Sequence, residues 1–361
     1  MTYRALGLMS GSSLDGLDIV FVELTVNAGQ WHYEILAADC YSYSDQWKQK
    51  LTDATSLNAL DYQLLHAEYG HYLGSEINRF IDSNDLHFKV GLIASHGHTT
   101  FHVPSKGMTA QLGDGAAIAA ETGLPVITDL RSVDVAFGGQ GAPIVPMGEK
   151  LLFPDFNLFL NLGGIANISY NNSDKYIAFD VCPANRVLNL IAAEINKEYD
   201  ENGAMASKGS VHKPLLQKLN ELDYYNKPYP KSLANDFGTN VIYPLIRSFN
   251  LSPEDALSTY CEHIIHQISS SLSRLNTGPS NLFITGGGAF NLYLVEHLRT
   301  ELKKFHINIS IPEESIIKYK EAIIVSLIGT LRWRLEYTVM ASVTGAQRNS
   351  IGGALWTGEE A

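Results

Sequence analysis

Three glycine-rich turns, each directly after a short apolar run, constrain the fold of this chain more than any other feature. They are Gly11-Ser12-Ser13-Leu14-Asp15-Gly16, Gly163-Gly164 and Gly286-Gly287-Gly288. A glycine turn at the end of a strand lets backbone amides approach phosphate oxygens, because no Cβ stands in the way. Taken alone, each turn is better explained as an ordinary tight turn. Three turns in matching strand contexts instead predict a nucleotide site.

The residues around these glycines narrow the kind of nucleotide site. No G-x-x-x-x-G-K-[ST] sequence is present, so the P-loop class is excluded, and the glycines after Gly11 do not fit G-x-G-x-x-G, which disfavours a dinucleotide site. Ser12 and Ser13 would add hydroxyl donors to the first turn. Asp15 and Asp18 could hold Mg²⁺ directly or through water. The cofactor-binding prediction comprises Gly11, Ser12, Ser13, Leu14, Asp15, Gly16, Leu17, Asp18, Gly163, Gly164, Gly286, Gly287 and Gly288.

The order of strand and helix patterns predicts an α/β fold. Short runs rich in β-branched and aromatic residues predict strands over Arg4 to Met9, Asp18 to Leu24 and Trp31 to Ala38. A helical stripe from Leu57 to Phe80 follows, and then strands over Val90 to Ala94 and Leu124 to Thr128, which implies a partly parallel sheet.

The pattern restarts after a glycine- and proline-dense stretch. That stretch runs from Ser132 to Pro146, and the strands expected at Asn157 to Leu162 and Ile165 to Tyr170 repeat the order strand, glycine turn, strand. We therefore expect duplicated topology, with a first lobe over residues 1–135 and a second over 136–344. Packing against the first lobe is one option for the tail, residues 345–361.

Composition excludes several classes of protein. The chain has 361 residues and a formal net charge of −12, with no basic run to attract a phosphate backbone, so nucleic acid is not expected as a partner. No apolar stretch is long enough to span a bilayer, so no membrane partner is expected. The three widely spaced cysteines form no C-x-x-C pair and suit a reducing compartment. We expect a cytoplasmic protein.

Seven motifs, in order along nearly the whole chain, resemble those of the anhydro-N-acetylmuramic acid kinases. They are Gly7 to Asp18, Ser95-His96-Gly97-His98-Thr99, Gln111 to Gly115, Asp129-Leu130-Arg131-Ser132-Val133-Asp134, Gly138 to Pro146, Asn161 to Asn167 and Thr285 to Ala289. That family is part of the actin, sugar kinase and heat-shock chaperone superfamily. The resemblance implies a two-lobed actin-like ATPase (ribonuclease H-like) fold with a central nucleotide cleft.

The resemblance also implies an activity. The family uses ATP, Mg²⁺ and water on 1,6-anhydro-N-acetylmuramic acid from cell-wall recycling, opens the anhydro bridge and phosphorylates O6, giving N-acetylmuramic acid 6-phosphate. The partners expected are therefore a small-molecule sugar and ATP, and a homodimer stays open.

Asp180 is the candidate catalytic base. Hydrolysis of the anhydro bond needs a carboxylate that takes a proton from water at the anomeric carbon. Asp180 follows the apolar run Tyr176 to Phe179, where a strand end would present it. The alternative is a helix-capping aspartate ahead of Arg186 to Ile195.

Three residues are candidates for sugar contacts. Arg131 could grip a sugar or lactyl carboxylate through two parallel hydrogen bonds, and its alternative is an ordinary surface ion pair. Thr99 matches a family position that touches the substrate. Glu321 matches a glutamate that reaches the sugar from the second lobe, and its alternative is a solvated glutamate in the first turn of a helix.

Two further groups carry weaker signals. His96, His98 and His102 lack a carboxylate or cysteine at ligand spacing, so we expect them to orient loop backbone or contact substrate hydroxyls rather than bind zinc. Cys182 is interpreted as a packing residue.

The chain departs from the family pattern beside Asp180. The family usually has threonine, glycine, proline, glycine and asparagine where this chain has Val181-Cys182-Pro183-Ala184-Asn185, and the run Lys231 to Phe237 lacks an expected arginine and glutamate. We therefore keep two alternatives: a related amino-sugar kinase of the same fold, and a non-catalytic, nucleotide-gated actin-like binding protein.

Overall fold

A computed structural model of the chain describes residues 1–11, 14–172, 175–229, 231–234 and 236–358. The predicted Ser12 and Ser13 lie outside the described residues. The strands are β1 (Thr2–Ser10), β2 (Gly16–Asn27), β3 (Gln30–Ser42), β4 (Leu92–Ser95), β5 (His98–Val103), β6 (Met108–Leu112), β7 (Val126–Thr128), β8 (Leu158–Leu162), β9 (Ile165–Asn172), β10 (Lys175–Pro183), β11 (Ser280–Thr285), β12 (Ile307–Ser310) and β13 (Ala354–Trp356).

Helices separate and cover these strands. They are α1 (Asp45–Asp53), α2 (Ala59–Ser83), α3 (Gly115–Thr122), α4 (Ser132–Ala136), α5 (Val145–Leu152), α6 (Asn185–Ala193), α7 (Lys213–Asn220), α8 (Asp223–Asn226), α9 (Tyr243–Arg247), α10 (Pro253–Leu275), α11 (Leu292–Leu302), α12 (Glu314–Trp333) and α13 (Ala341–Thr344). None of the helices in the described residues is long and apolar enough to cross a membrane.

The chain forms two compact units. Unit 1 comprises Met1–Pro154 and Tyr319–Ala361, and unit 2 comprises Asp155–Lys318. The sequence placed the boundary at residues 135/136 and assigned residues 136–344 to the second lobe. In the structure α5 still belongs to unit 1, and the chain returns to unit 1 within α12. Glu321, expected from the second lobe, therefore lies in unit 1.

Each unit is built on a mixed sheet with the same strand order. Unit 1 has the order β13-β7-β4-β1-β2-β3, in which β1, β2 and β3 form an antiparallel meander and β4 and β7 run parallel to β1. Unit 2 has the order β10-β9-β8-β11-β12, again an antiparallel meander continued by parallel strands. The α/β fold class predicted from the sequence is confirmed, and the repeated order agrees with the expected duplication.

The alternation of side chains along β1 sends residues to two different cores of unit 1. Leu6 and Leu8 pack with α2 residues such as Tyr69 and Leu73, whereas Ala5 faces the opposite layer, which includes Ile324 of α12. This is the period-2 pattern of a strand buried on both faces.

The core of unit 2 gathers around α10. Ser252 caps this helix by accepting a hydrogen bond from the Asp255 amide at 3.1 Å, and Pro253 occupies its first position. The predicted buried face is present, because Leu257, Ile264 and Ile268 are each fully buried. The cap and the apolar stripe together predict this helix from the sequence.

The C-terminal tail completes the sheet of unit 1. Its strand β13 pairs antiparallel with β7 and brings Trp356 opposite Val126. The indole Nε1 donates a hydrogen bond to the Thr128 hydroxyl at 3.0 Å.

Gly7 is required where β1 meets α12. A Cβ built on Gly7 would lie 2.0 Å from the Ala322 carbonyl oxygen, which is backbone and cannot rotate away. We expect Gly7→Ala to lower the free energy of unfolding by about 2–3 kcal/mol, because the strand and helix must separate. Denaturant unfolding measures this change.

The matched control is Gly91→Ala. A Cβ at Gly91 meets nothing closer than the Arg4 carbonyl oxygen at 3.4 Å, so this substitution should change stability by less than about 1 kcal/mol. Equal effects of the two substitutions would contradict the close packing of β1 on α12.

Candidate functional site

The first glycine turn joins β1 to β2 in unit 1. The Leu14 amide donates to the Gly11 carbonyl at 3.3 Å, and Leu14 has a φ of 58°. Asp15 is exposed beside it. The Leu17 side chain is buried in the core, so a ligand contact of this residue would involve its backbone.

A buried hydrogen-bond network fixes the residue that precedes this turn. The Tyr43 hydroxyl donates to Ser10 Oγ at 2.8 Å, and Ser10 Oγ lies 3.0 Å from His98 Nδ1. The hydroxyls of Tyr43 and Tyr69 are 2.6 Å apart. Burial lowers the pKa of His98. The network holds the end of β1, and with it the start of the turn, in one position.

Carboxylates gather near the turn. Burial raises the pKa of Asp18 to about 6, against a hydrogen bond from the Cys40 thiol, which lowers it; the negative charges of Glu321 and Asp15 raise it further. Cys40 is directly opposite Asp18 in the β2–β3 ladder. Excess negative charge in a partly desolvated place is the environment that attracts a cation.

Arg131 is half-buried and lies between β7 and α4. It is the residue before α4, and its Nε donates a hydrogen bond to His96 Nε2 at 2.9 Å. Burial lowers the pKa of Arg131 to about 10, and the negative charge of Glu321 opposes this shift. Arg131 is therefore not the ordinary surface ion pair of the alternative interpretation.

A buried ion pair lies one residue from Glu321. Lys320 Nζ is 3.1 Å from Glu149 Oε1, and both side chains are almost fully buried. Burial raises the pKa of Glu321, and the positive charges of Lys320 and Arg131 oppose that shift. Glu321 lies well inside α12 and is not the solvated first-turn residue of the alternative interpretation.

Thr99 lies on the β5–β6 hairpin, next to a cavity of unit 1. Its hydroxyl accepts a hydrogen bond from Gln111 Nε2 at 3.5 Å. The cavity has a volume of about 290 Å³ and is lined by polar side chains and one aromatic ring, among them His96, Gln111, Asp114, Asp129, Ser132 and Trp356. Asp129 has a φ of 53°, in the left-handed region that aspartate tolerates better than most residues.

The second and third glycine turns lie side by side in unit 2. Asn185 joins them: its side-chain amide donates to the Leu162 carbonyl at 2.8 Å, its backbone amide donates to the Gly163 carbonyl, and a Cβ on Gly288 would lie 3.0 Å from Asn185 Oδ1. Gly286 has a φ of 82°, and a Cβ there would meet Asn161 Oδ1 at 2.4 Å. The predicted nucleotide turns of this unit are thus brought together.

Asp180 lies at a β-bulge in β10, where the pairing with β9 shifts between Asp180 and Cys182. The Leu233 backbone amide donates to Asp180 Oδ2 at 2.9 Å. Among the described residues, Oδ1 has no hydrogen-bond partner. Burial raises the pKa of the Asp180 carboxyl, and the hydrogen bond from Leu233 lowers it. Asp180 is not a helix cap, because Ala184 occupies that position ahead of α6.

The departures from the family pattern leave these contacts in place. Leu233 holds Asp180 through its backbone, so the contact does not depend on the side chain at that position. Val181 and Cys182 are buried, and burial raises the pKa of the Cys182 thiol. Cys182 therefore packs, as the sequence suggested.

No group of three or more histidine, cysteine, aspartate or glutamate side chains suited to a metal occurs within the described ranges. Asp15 and Asp18 provide hard oxygen donors, and burial, with the negative charges of Glu321 and Asp15, raises the pKa of Asp18. This donor set fits Mg²⁺, which keeps several waters and commonly binds one or two carboxylates plus substrate phosphates.

Comparison with known proteins identifies the family of this chain. A family model described as anhydro-N-acetylmuramic acid kinase matches residues 3–358. This chain belongs to the anhydro-N-acetylmuramic acid kinase family. Among its curated relatives, the anhydro-N-acetylmuramic acid kinase of Hydrogenovibrio crunogenus is 31% identical over 97% of both chains. That of Aliivibrio fischeri is 35% identical over 84% of this chain and 86% of its own length.

Solved structures resemble the chain more distantly. The activator of the 2-hydroxyisocaproyl-CoA dehydratase from Clostridium difficile with bound ADPNP is 16% identical, with a TM-score of 0.45 over 90% of this chain and 94% of that one. The PilM–PilN type IV pilus biogenesis complex gives 12% identity and a TM-score of 0.43 over 90% and 98%.

Some residues of the site in this family member were not found from the sequence. The histidine cluster was noted, but the bond from Arg131 to His96 depends on the placement of β4 beside β7, which no local pattern records. Trp356 reaches the cavity only because β13 joins the sheet. The positive φ of Asp129 has a weak local signal, since aspartate tolerates this conformation better than most residues.

We expect the partly buried charge of Asp18 to lower the free energy of unfolding of this family member. Its folded-state pKa of about 6 lies above the ordinary 3.8, so the penalty is absent below about pH 4 and complete above about pH 6. The full shift corresponds to about 3 kcal/mol, and because the side chain is partly exposed we expect Asp18→Asn to stabilise the protein by about 1–2 kcal/mol at pH 7.

Denaturant unfolding at pH 4 and pH 7 measures this effect. The gain from Asp18→Asn should appear at pH 7 and vanish at pH 4. The control Asp39→Asn, an exposed carboxylate beside Cys40, should change stability by less than about 0.5 kcal/mol at both values. A loss of stability in Asp18→Asn at pH 7 would contradict the description of this carboxylate.

Proposed function

We propose that this chain is an ATP-dependent kinase that opens 1,6-anhydro-N-acetylmuramic acid with water and phosphorylates O6, giving N-acetylmuramic acid 6-phosphate and ADP. The observation that carries the proposal is the family match over residues 3–358. The local chemistry of each unit supports it, as the following paragraphs describe.

Asp180 is the base in this proposal. Water forms a bond to C1 of the sugar, its proton passes to Asp180, and the bond from C1 to the bridging oxygen breaks. A carboxylate whose pKa is raised by burial accepts a proton more readily than an exposed one. Because the Leu233 amide occupies Oδ2, Oδ1 is the oxygen directed to water in this scheme.

Phosphoryl transfer depends mainly on positioning and charge neutralisation. The freed O6 forms a bond to the γ-phosphorus, and the bond to the ADP oxygen breaks. The glycine turns that begin at Gly11, Gly163 and Gly286 would offer backbone amides to the phosphates. Mg²⁺ held by Asp15 and Asp18, directly or through water, would neutralise phosphate charge when bound.

Arg131, Thr99 and Glu321 bind the sugar in this proposal. The two terminal nitrogens of Arg131 would grip the lactyl carboxylate, and a buried guanidinium binds a carboxylate more strongly than an exposed one. Thr99 and Glu321 would contact the sugar hydroxyls and the acetamido group. Cytoplasmic location fits this substrate pair and the unpaired state of Cys40, Cys182 and Cys261. A homodimer stays a prediction.

The contacts that remain around the altered segment beside Asp180 favour a catalytic protein over the non-catalytic alternative. The groups that hold Asp180 are backbone groups or lie outside the altered positions: the Lys231 carbonyl accepts from the Asp180 amide, and the Tyr224 hydroxyl donates to the Asp180 carbonyl at 2.7 Å. The replacements Val181 and Ala184 are buried without disturbing these contacts.

Asp180→Asn should slow turnover severely while nucleotide binding remains. Removal of the base is expected to slow the reaction by about 10²–10⁴-fold. The measurement is mass spectrometry of the sugar after incubation with Mg²⁺-ATP, which should show a gain of one water plus one phosphate for the unaltered protein.

The matched control is Asp223→Asn, an exposed aspartate of the same unit, which should keep full turnover. Near-normal turnover in Asp180→Asn would refute the assignment of the base. Phosphorylation of an ordinary hexosamine, with none of the anhydro sugar, would favour the related amino-sugar kinase. ATP binding without any sugar product would favour the non-catalytic alternative.

The pH dependence of turnover should report the raised pKa of Asp180. The base acts when deprotonated, so kcat/KM for the sugar should fall about tenfold per pH unit once the pH drops below that pKa. At saturating ATP, the acid limb should lie above the ordinary carboxyl value, because burial raises the pKa. A profile that stays flat down to pH 4 would contradict a buried carboxylate base.

A further inference from the structure

The geometry points to His96 as a positioning residue that sets the orientation of Arg131 and thereby the preference for a sugar that carries a carboxylate. This inference rests on the proposed function, because the carboxylate is that of the proposed substrate. His96 touches the guanidinium and is not assigned any contact with the sugar.

Both ring nitrogens of His96 have defined roles. Nδ1 lies 2.9 Å from the Gly97 carbonyl oxygen, and only an N–H can serve that acceptor. Nε2 receives the hydrogen bond from Arg131 Nε at 2.9 Å, so Nε2 carries a lone pair. The two contacts together require the neutral tautomer with its proton on Nδ1.

The surroundings maintain this neutral tautomer. His96 is 3% exposed, and burial, together with the charge of Arg131, lowers its pKa to about 3. The ring is therefore an acceptor for Arg131 throughout the neutral pH range, and it does not compete with Arg131 for an anion.

Occupation of Nε decides which edge of the guanidinium remains for a ligand. A guanidinium can bind a carboxylate through Nε and one terminal nitrogen, or through its two terminal nitrogens. Among the described residues, the hydrogen-bond acceptor of Arg131 is His96, and the nitrogen that donates to it is Arg131 Nε. The remaining edge is the pair of terminal nitrogens, whose planar fork matches the two oxygens of a carboxylate.

Contacts of the neighbouring Gly97 hold the backbone that carries His96. The ring lies in Ser95-His96-Gly97, after β4, where the Gly97 amide donates to Ser95 Oγ at 3.2 Å. Gly97 has a φ of 70°, and a Cβ there would meet the Leu112 carbonyl oxygen at 2.4 Å. The backbone that carries His96 is thus tied to β6, and the imidazole is a rigid support for Arg131.

Two amide substitutions of different length test the inference. In His96→Gln the side-chain oxygen can reach the place of Nε2 and accept from Arg131. In His96→Asn the amide reaches only the place of Nδ1, so the acceptor for Arg131 is lost. The measurement is the ratio of dissociation constants, by calorimetry, for 1,6-anhydro-N-acetylmuramic acid and for 1,6-anhydro-N-acetylglucosamine, which lacks the lactyl carboxylate.

We expect His96→Asn to reduce the preference for the carboxylate-bearing sugar by about 10-fold or more, the effect of a lost hydrogen bond to a charged group. His96→Gln should keep the preference close to that of the unaltered protein. In the background of Arg131→Ala, which itself removes the preference, His96→Asn should change it no further. The Tm of each variant is measured as a control for folding. Unchanged binding of the sugar that lacks a carboxylate shows that the rest of the site is intact.

Other results would overturn the inference. Equal weakening of both sugars in His96→Asn, with the ratio unchanged, would make His96 a purely structural residue. An unchanged ratio in all His96 variants would show that Arg131 needs no support. Failure of the proposed function gives a different result, because the unaltered protein would then form no sugar phosphate. The ratio of dissociation constants would still test the role of His96. Binding of neither sugar would end both proposals.

Discussion

Two half-buried charged side chains with few partners in the protein, Arg131 and Glu321, constrain the rest of unit 1. Arg131 is bonded to a neutral imidazole, and Glu321 has no direct ion pair among the described residues. A buried charge is costly unless it is paired. Such a site is stabilised when a ligand of complementary charge binds. The limited solvation of these side chains therefore favours the binding of a charged ligand.

The frame around these charges is correspondingly rigid. The Glu149–Lys320 pair ties α5 to α12, and both of its side chains are almost fully buried. Gly7 lets β1 approach α12 closely, and the Ser10, His98, Tyr43 and Tyr69 network holds the end of β1. Within unit 1, the residues assigned to phosphate and sugar thus project from elements that pack closely on one another.

Local signals fixed much of the fold and part of the site. The β1–β3 meander, the long α2 and the capped α10 follow from period-2 runs, a helical stripe and the Ser252-Pro253 start, and the glycine turns fall at the expected strand ends. The sequence could not give the β5–β6 hairpin, the return of α12 to unit 1 or the docking of β13, because each depends on partners distant in the chain. The same holds for the acceptor of Arg131 and for the Leu233 amide that holds Asp180. Family motifs located these side chains, but their partners required the structure.

In the proposed reaction, water is added to the sugar while phosphate is transferred to O6, and Asp180 takes the proton from that water. The decisive experiment is turnover in H₂¹⁸O, quenched early and followed by mass spectrometry. We expect one ¹⁸O atom in the sugar portion of the product, at C1, with unlabelled phosphate and one ADP formed per sugar phosphate. Label in released inorganic phosphate, with the anhydro sugar unchanged, would show ATP hydrolysis alone and would rule out this reaction.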